Sequence, residues 1–248
     1  MIRFIKIFLK NLHRLRPKYL HLICSNNGLI SRDTITNNNI FLITSCINTC
    51  DSDEYVNHNL TFSPKDRLAE TLVGLKSIHT HYPSRYIIFL ESSELSAESE
   101  RAIKPLVDEY HNYHKSRPIQ IARQHFNKGV PQFTALVKFI EENKGHYCAE
   151  VFHFLGARYM LKGPAANNET LPGAYFLYYP KSRNVSTRYF FIRNGNLSDI
   201  RKPFRYTLYC AILGSSVEDI IYRFFHKPRF IGKLNICGKV NGVEMVHE

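Results

Sequence analysis

The sequence predicts an α/β fold, a three-layer sandwich with a mostly parallel central sheet and an antiparallel C-terminal part. Three observations carry this. From Ile40 to Gly145 strand-like and helix-like patterns alternate, the order of a sheet covered by helices on both faces. The leading strand patterns are continuously apolar and β-branched, as in strands buried on both sides. After Ala174 come aromatic segments separated by turn residues, which suit antiparallel strands.

Taken in order, residues 1–24 form a basic amphipathic helix. Ile5, Phe8, Leu9 and Leu12 share one face, Arg3, Lys6, Lys10, Arg14, Arg16 and Lys18 supply charge, and no acid occurs before Asp33. Such a helix suits an anionic membrane surface; packing on the domain, or organelle targeting, would use the same pattern. Its apolar stretch is too short and too charged to span a bilayer, and no signal-peptide core is evident. Residues 25–39, rich in Asn and Ser, read as a linker, leaving residues 40–248 as one domain.

The domain opens with IFLITSCIN, a buried strand. Ser63-Pro64-Lys65-Asp66 supplies an N-cap, a proline at the first helical position and a capping acid. The helix carries Leu68, Leu72, Leu75 and Ile78 on one stripe, stops by Pro83, and leads into the strand RYIIFLESS. Ser96 caps a second helix through Ile103, Leu106, Val107 and Tyr110. IQIARQHF reads as a third strand, and VPQFTALVKFIEENKG as a third helix with proline at its start and glycine at its close. AEVFHFLGARYML is the next strand, and GPAANNETLPG a polar loop. AYFLYYP, TRYFFIRNG and RYTLYCAIL read as further strands. Ser215-Ser216-Val217-Glu218 has the spelling of a capping box for a helix through Ile221 and Phe225, and Asn241-Gly242 that of a hairpin turn.

The 248 residues, 44% of them hydrophobic, bury a sizeable core, and a net charge of +12 with pI near 9.4 favours anionic partners. The six cysteines are scattered without zinc or Cys-x-x-Cys spacing, so they read as reduced thiols of a cytoplasmic protein, peripheral at a membrane if residues 1–23 lie there.

In a strand–helix–strand unit ligands bind at the carboxyl ends of the strands. That sets Ser45 to Thr49 beside Glu91 to Ser93.

FLITSCINT, DRLAETLVGLKSI with the strand ending LESS, NKG before the third helix, and FLGARYML together resemble small nucleotide-sugar glycosyltransferases of the GT-A type, such as the compact enzymes of large DNA viruses and bacterial surface-glycan clusters. The resemblance covers roughly residues 40–161. It implies a donor-binding half over residues 40–162 and an acceptor half with the terminal hairpin over 163–248. It further implies that Thr44, Ser45 and Thr49 hold the base and that Glu91 contacts base or ribose, accepting from hydroxyl or N–H groups. The alternative for Glu91 is an ordinary strand-end acid or helix cap.

Lys128, before a helix N-terminus, and Arg158, within an apolar strand, are the cations placed for a diphosphate; Arg158 could equally pair internally with Glu150 or Glu218. The resemblance also implies an Asp-x-Asp motif holding manganese or magnesium on the strand that here carries His153 and Gly156, and no such pair is spelled there. Asp51-Ser52-Asp53 has the spelling but follows the first strand, so the metal remains open. For a base, His153, Glu169 and Glu218 lie in the right half, although His153 also reads as a core histidine.

The leading function is thus transfer of a sugar from a nucleotide diphosphate to a glycan, glycoprotein or other hydroxyl acceptor. An inactive scaffold of the same fold is a second class. A nucleic-acid-binding module is a third, which the ligand-binding pattern of the sheet disfavours despite the Tyr/Phe/Arg-rich stretch 175–205.

Overall fold

The computed structural model describes Tyr19 and residues 33–48, 63–143, 145–164, 170–240 and 244–248. Thr49, Asp51, Asp53, Glu169, the Asn241-Gly242 turn and the N-terminal segment apart from Tyr19 lie outside the described residues.

The expected α/β sandwich is what forms. Strands β1 (Ile35–Ser45), β2 (Arg85–Glu91), β3 (Glu109–Asn112) and β4 (Tyr147–Gly156) pair in parallel in the order β3-β2-β1-β4. The sheet continues through β8 (Tyr189–Arg193), antiparallel to both neighbours, into β6 (Gly173–Tyr179), which also pairs antiparallel with the short β7 (Asn184–Val185) and parallel with β9 (Arg229–Ile231). Two reversals make β6 run parallel to β4. A small antiparallel sheet joins β5 (Met160–Leu161), β10 (Ile236–Val240) and β11 (Glu244–His247).

The period of two along the strands splits the core into two layers. Ile40, Leu42, Phe152, Phe154 and Phe190 face one side, against helices α4 (Gly129–Asn143) and α5 (Leu197–Ile212). Phe41, Ile43, Phe89, Leu155 and Phe191 face the other, against α1 (Pro64–His81). Helix α1 starts as its sequence specifies: Ser63 and Asp66 form the capping box, Pro64 sits in the first turn, and Leu75 and Ile78 are fully buried.

Several elements depart from the sequence reading, each for a physical reason. Strand β1 begins at Ile35, inside the segment read as linker, because β4 offers it a pairing partner from Tyr147 onward. The second helix, α2 (Ala97–Ile103), gives way to a 3-10 turn at Lys104–Leu106, where Pro105 lacks the N–H to continue it, and β3 follows. IQIARQHF is not a strand: Pro118 in the first turn starts a short helix, α3 (Arg117–Arg123), and Ile119 and Ala122, three apart, are its buried face.

RYTLYCAIL belongs to α5, where Leu197, Ile200, Phe204, Leu208 and Ala211 give the helical spacing that packs against α4. Pro203 inside that helix disguised the pattern. Helix α6 (Val217–Ile220) is one turn long, its Ser216 cap makes no capping hydrogen bond, and a 3-10 turn, Ile221–Phe224, follows. Tyr19 is buried, edge-on to His125 at 4.5 Å with its hydroxyl donating to the Gln124 carbonyl, so the segment ahead of the domain is not wholly apart from the core. Among the described residues no helix is long and apolar enough to cross a membrane.

Candidate functional site

Chain direction decides which side chains meet at the carboxyl ends of β1, β2 and β4. Helix α1 leaves from that end of β1, so its first turns put Arg67 and Glu70 there. Helix α4 returns to the start of β4, so its N-terminus, with exposed Lys128 just ahead, lies on the same side. The turn after β4 brings Arg158, and β8, being antiparallel, brings Arg188 at its start.

The centre of this mouth is the loop Cys46–Asn48, and the Glu91-Ser92-Ser93 turn holds it. Ser45 and Glu91 are register partners at the last rung. Ser92 donates to the Ser45 carbonyl through N–H at 3.0 Å and hydroxyl at 2.9 Å, and Asn48 N–H donates to Ser93 Oγ at 3.0 Å. Glu91 is fully buried. Its Oε1 accepts from the N–H groups of Ile47 (3.3 Å), Ser92 (3.0 Å) and Ser93 (2.7 Å) and from Ser93 Oγ (2.5 Å). Burial raises its pKa, and the hydrogen bonds from Ser93 and Ile47, together with the nearby Ser45 hydroxyl, oppose that rise. By hydrogen-bond geometry Oε2 and the buried Ser45 hydroxyl have no partner, so the nearby Ser45 hydroxyl favours the charge without closing a bond.

Two guanidinium groups grip the same loop from outside. Arg67 Nη1 donates to the Cys46 carbonyl at 3.4 Å, and Arg123 Nη2, from the last turn of α3, donates to the Asn48 carbonyl at 2.8 Å. Arg158 stands beside Arg67: burial first, and then the Arg158 charge, lowers the Arg67 pKa. Arg158 and Glu70 are 3.9 Å apart. A pair of arginines close enough to disfavour one another is a place where an anion is stabilising. Cys46 is pushed up by burial and then by Glu91, so its thiol stays protonated.

Arg158 reaches this position through glycine. A Cβ on Gly74 would lie 2.7 Å from the Ala157 carbonyl oxygen and 2.9 Å from that of Tyr159, so α1 seats directly on the turn. Ser77 fastens the contact, donating to the Gly74 carbonyl at 2.6 Å and accepting from Leu161 N–H at 2.9 Å.

The sequence-derived residues therefore divide. Thr44, Ser45, Glu91, Lys128 and Arg158 come to one side of the sheet, with Thr44 and Ser45 buried in the last rungs of β1 and Glu91 acting on the loop backbone. Arg158 lies in a turn rather than a strand, and neither acid suggested for it is its partner: Glu150 pairs with Arg193, and Glu218 accepts from Thr187 at 2.9 Å and Ser216 at 2.6 Å. Glu218 is on the mouth side, since Val217 packs against Gly129 at the start of α4.

His153 is not at the mouth. It is 1% exposed, stacked on Phe41 at 4.1 Å, with Nδ1 paired to the Tyr189 hydroxyl at 2.7 Å and Nε2 to Asn39 Oδ1 at 3.1 Å. Burial, and secondarily Arg193, lowers its pKa to about 3. That is a neutral core histidine. Sequence reasoning missed Arg67 and Arg123; the signal for the first was its place in the opening turn of the helix after β1, while the second was hidden in a segment read as strand.

Among the described residues no three His, Cys, Asp or Glu side chains could share an ion, β4 ends in Leu155-Gly156 two residues ahead of Arg158, and Asp51 and Asp53 are not among the described residues.

No known sequence family matches the chain, and no curated protein does. Among solved structures it is similar to the galactosyltransferase LgtC in complex with donor and acceptor sugar analogues, with a TM-score of 0.48 and 11% identity over 77% of this chain and 72% of that one. It is also similar to the mannosyltransferase Ktr4p from S. cerevisiae, with a TM-score of 0.39 and 8% identity over 88% and 72%. For the GDP complex of Ktr4p the values are 0.37, 9%, 89% and 73%.

Proposed function

We propose that this protein is a glycosyltransferase that moves a sugar from a nucleotide-diphosphate donor to a glycan or other hydroxyl acceptor. The observation that carries the reading is the gathering of Arg67, Arg123 and Arg158 around the Cys46–Asn48 loop at the carboxyl ends of parallel strands, the position where open α/β sheets bind nucleotides. The resemblance of FLITSCINT, the LESS strand end and FLGARYML to GT-A enzymes supports it from the sequence side.

In this reading the loop after β1 meets the base, with Glu91 as the positioning residue that fixes its backbone. Arg67 and Arg158 take the diphosphate with planar donor forks, and Lys128 adds a point charge at the N-terminus of α4. In this reading Glu218 accepts the acceptor hydroxyl's proton, and the cations stabilise the charge that develops on the leaving diphosphate.

Titration of UDP and GDP into the folded protein tests this. Losing a charge-assisted contact costs about 1.5–3 kcal/mol, so Arg67→Met and Arg158→Met should each weaken the preferred nucleotide by roughly one to two decades. Micromolar binding that neither change reduces would remove the donor pocket. Turnover of a nucleotide sugar separates an enzyme from an inactive scaffold of the same fold.

A further inference from the structure

The outer edge of the sheet carries a surface that the donor site does not use. Tyr178 at the end of β6, Phe230 on β9 and Tyr222 in the last 3-10 turn meet there, with ring centroids 4.9 Å apart for Tyr178–Phe230 and 5.7 Å for Tyr222–Phe230. Phe230 is 47% exposed. The Arg223 guanidinium lies 5.5 Å from the Tyr222 ring centroid, and the Tyr222 hydroxyl donates to the Arg183 carbonyl at 3.4 Å. Arg183, Arg223 and Lys227 are all exposed.

The two stretches that build this edge, residues 170–198 and 220–243, contain no Asp or Glu. The exposed Arg183, Arg223 and Lys227 make this edge basic, and such a surface favours an anionic partner. Arg183 and Lys227 have φ of 56° and 49°, a left-handed conformation that disfavours side chains with a Cβ. Folding alone would prefer glycine at both positions.

The edge is continuous with the mouth. Tyr179, next to Tyr178, receives a hydrogen bond from Arg188 at 3.2 Å, and both bond the Glu248 carboxylate at the mouth end of β8. From β4 to β9 is three strand spacings, roughly 14 Å.

We infer that this edge is a binding tract for an acidic glycan, a chain of pyranose units bearing carboxylate or phosphate groups. Its role as the acceptor tract rests on the function proposed above. The apolar C–H faces of the sugars lie on the Phe230 and Tyr178 rings, whose negative π faces attract them, and Arg183, Arg223 and Lys227 take the acid groups. A single nucleic-acid strand is less well matched: the three rings meet at 40°, 69° and 71° and Arg223 covers Tyr222, so no ladder of parallel faces is open to bases. A membrane would need more inserted apolar surface than Phe230 supplies.

The test titrates the full chain with tetragalacturonate, with neutral maltotetraose, and separately with UDP and GDP. It is repeated for Phe230→Ala and for a double Arg183→Gly, Lys227→Gly variant, in which glycine suits the backbone so that the fold is retained. Tetragalacturonate should bind at least roughly tenfold more tightly than maltotetraose, and each variant should lose about tenfold while nucleotide affinity is unchanged. Equal affinity for the two sugars, or full affinity in Phe230→Ala, overturns the inference. So does displacement of tetragalacturonate by tighter-binding oligo(dT) or phosphatidylserine vesicles, which would assign the edge to nucleic acid or membrane. If tetragalacturonate binds but the nucleotides do not, the tract stands and the glycosyltransferase reading falls; the converse result leaves the donor site and removes the tract.

Discussion

Replacing Gly74 by alanine sets two effects of opposite sign against each other. In an open helix the change stabilises, because glycine is about 1 kcal/mol worse than alanine. Gly74 is instead buried mid-helix, and the added methyl would stand 2.7 Å and 2.9 Å from two backbone carbonyl oxygens, closer than van der Waals contact allows. Overpacking of this kind costs about 1–3 kcal/mol. The difference runs from about zero to about 2 kcal/mol of net destabilisation. Because the obstacle is backbone, relief requires α1 and the 157–159 turn to move apart, and Arg158 moves with the turn. Donor affinity should then fall several-fold beyond any loss of folded protein. Urea denaturation with a fitted m-value measures the first effect and UDP or GDP titration the second. Val73→Ala, at a 50% exposed neighbouring position, is the control in which only helix propensity acts. If Gly74→Ala gains about 1 kcal/mol and binds nucleotide as well as the parent, α1 is not seated on that turn, and the account of how Arg158 is positioned is wrong.

Other outcomes follow from particular groups. An unfolded histidine protonates near 6.5 but His153 in the fold only near 3, so in that window the unfolded state binds more protons and stability rises with pH. Relative to His153→Gln, the parent should therefore lose about 1.4 kcal/mol per pH unit on acidification from about 6.5; taking the difference cancels the opposing contribution of Glu91, and parallel profiles would contradict the buried neutral state. Glu91→Gln should both loosen the Cys46–Asn48 loop, seen as faster amide exchange at Ile47 and Ser93, and weaken nucleotide binding; unchanged exchange would show that the carboxylate does not hold the loop. At the N-terminus, deletion through Tyr19 should cost about 3–5 kcal/mol, as for other buried aromatics, whereas deletion of residues 1–16 should spare folding and abolish sedimentation with anionic vesicles. Retained sedimentation in the shorter deletion would place membrane affinity elsewhere.

The sequence by itself determined three of the four parallel strands, β1, β2 and β4, but not β3. Ile40 to Asn48, Arg85 to Glu91 and the capping box at Ser63 are local signals, readable because continuous apolar runs and cap residues act through neighbours in the chain. It also brought Ser45 and Glu91 together, since register partners at strand ends follow from one crossover. Tertiary structure alone decided the rest. Whether RYTLYCAIL is strand or helix depended on the face α4 offered to Phe204 and Leu208, because a short apolar run fits either period. His153 reads equally well as base or core until Phe41, Asn39 and Tyr189 are seen to enclose it. The meeting of Arg67 with Arg158 required a helix to dock on a turn some 90 residues away through one missing Cβ, a contact of space that no spacing along the chain encodes.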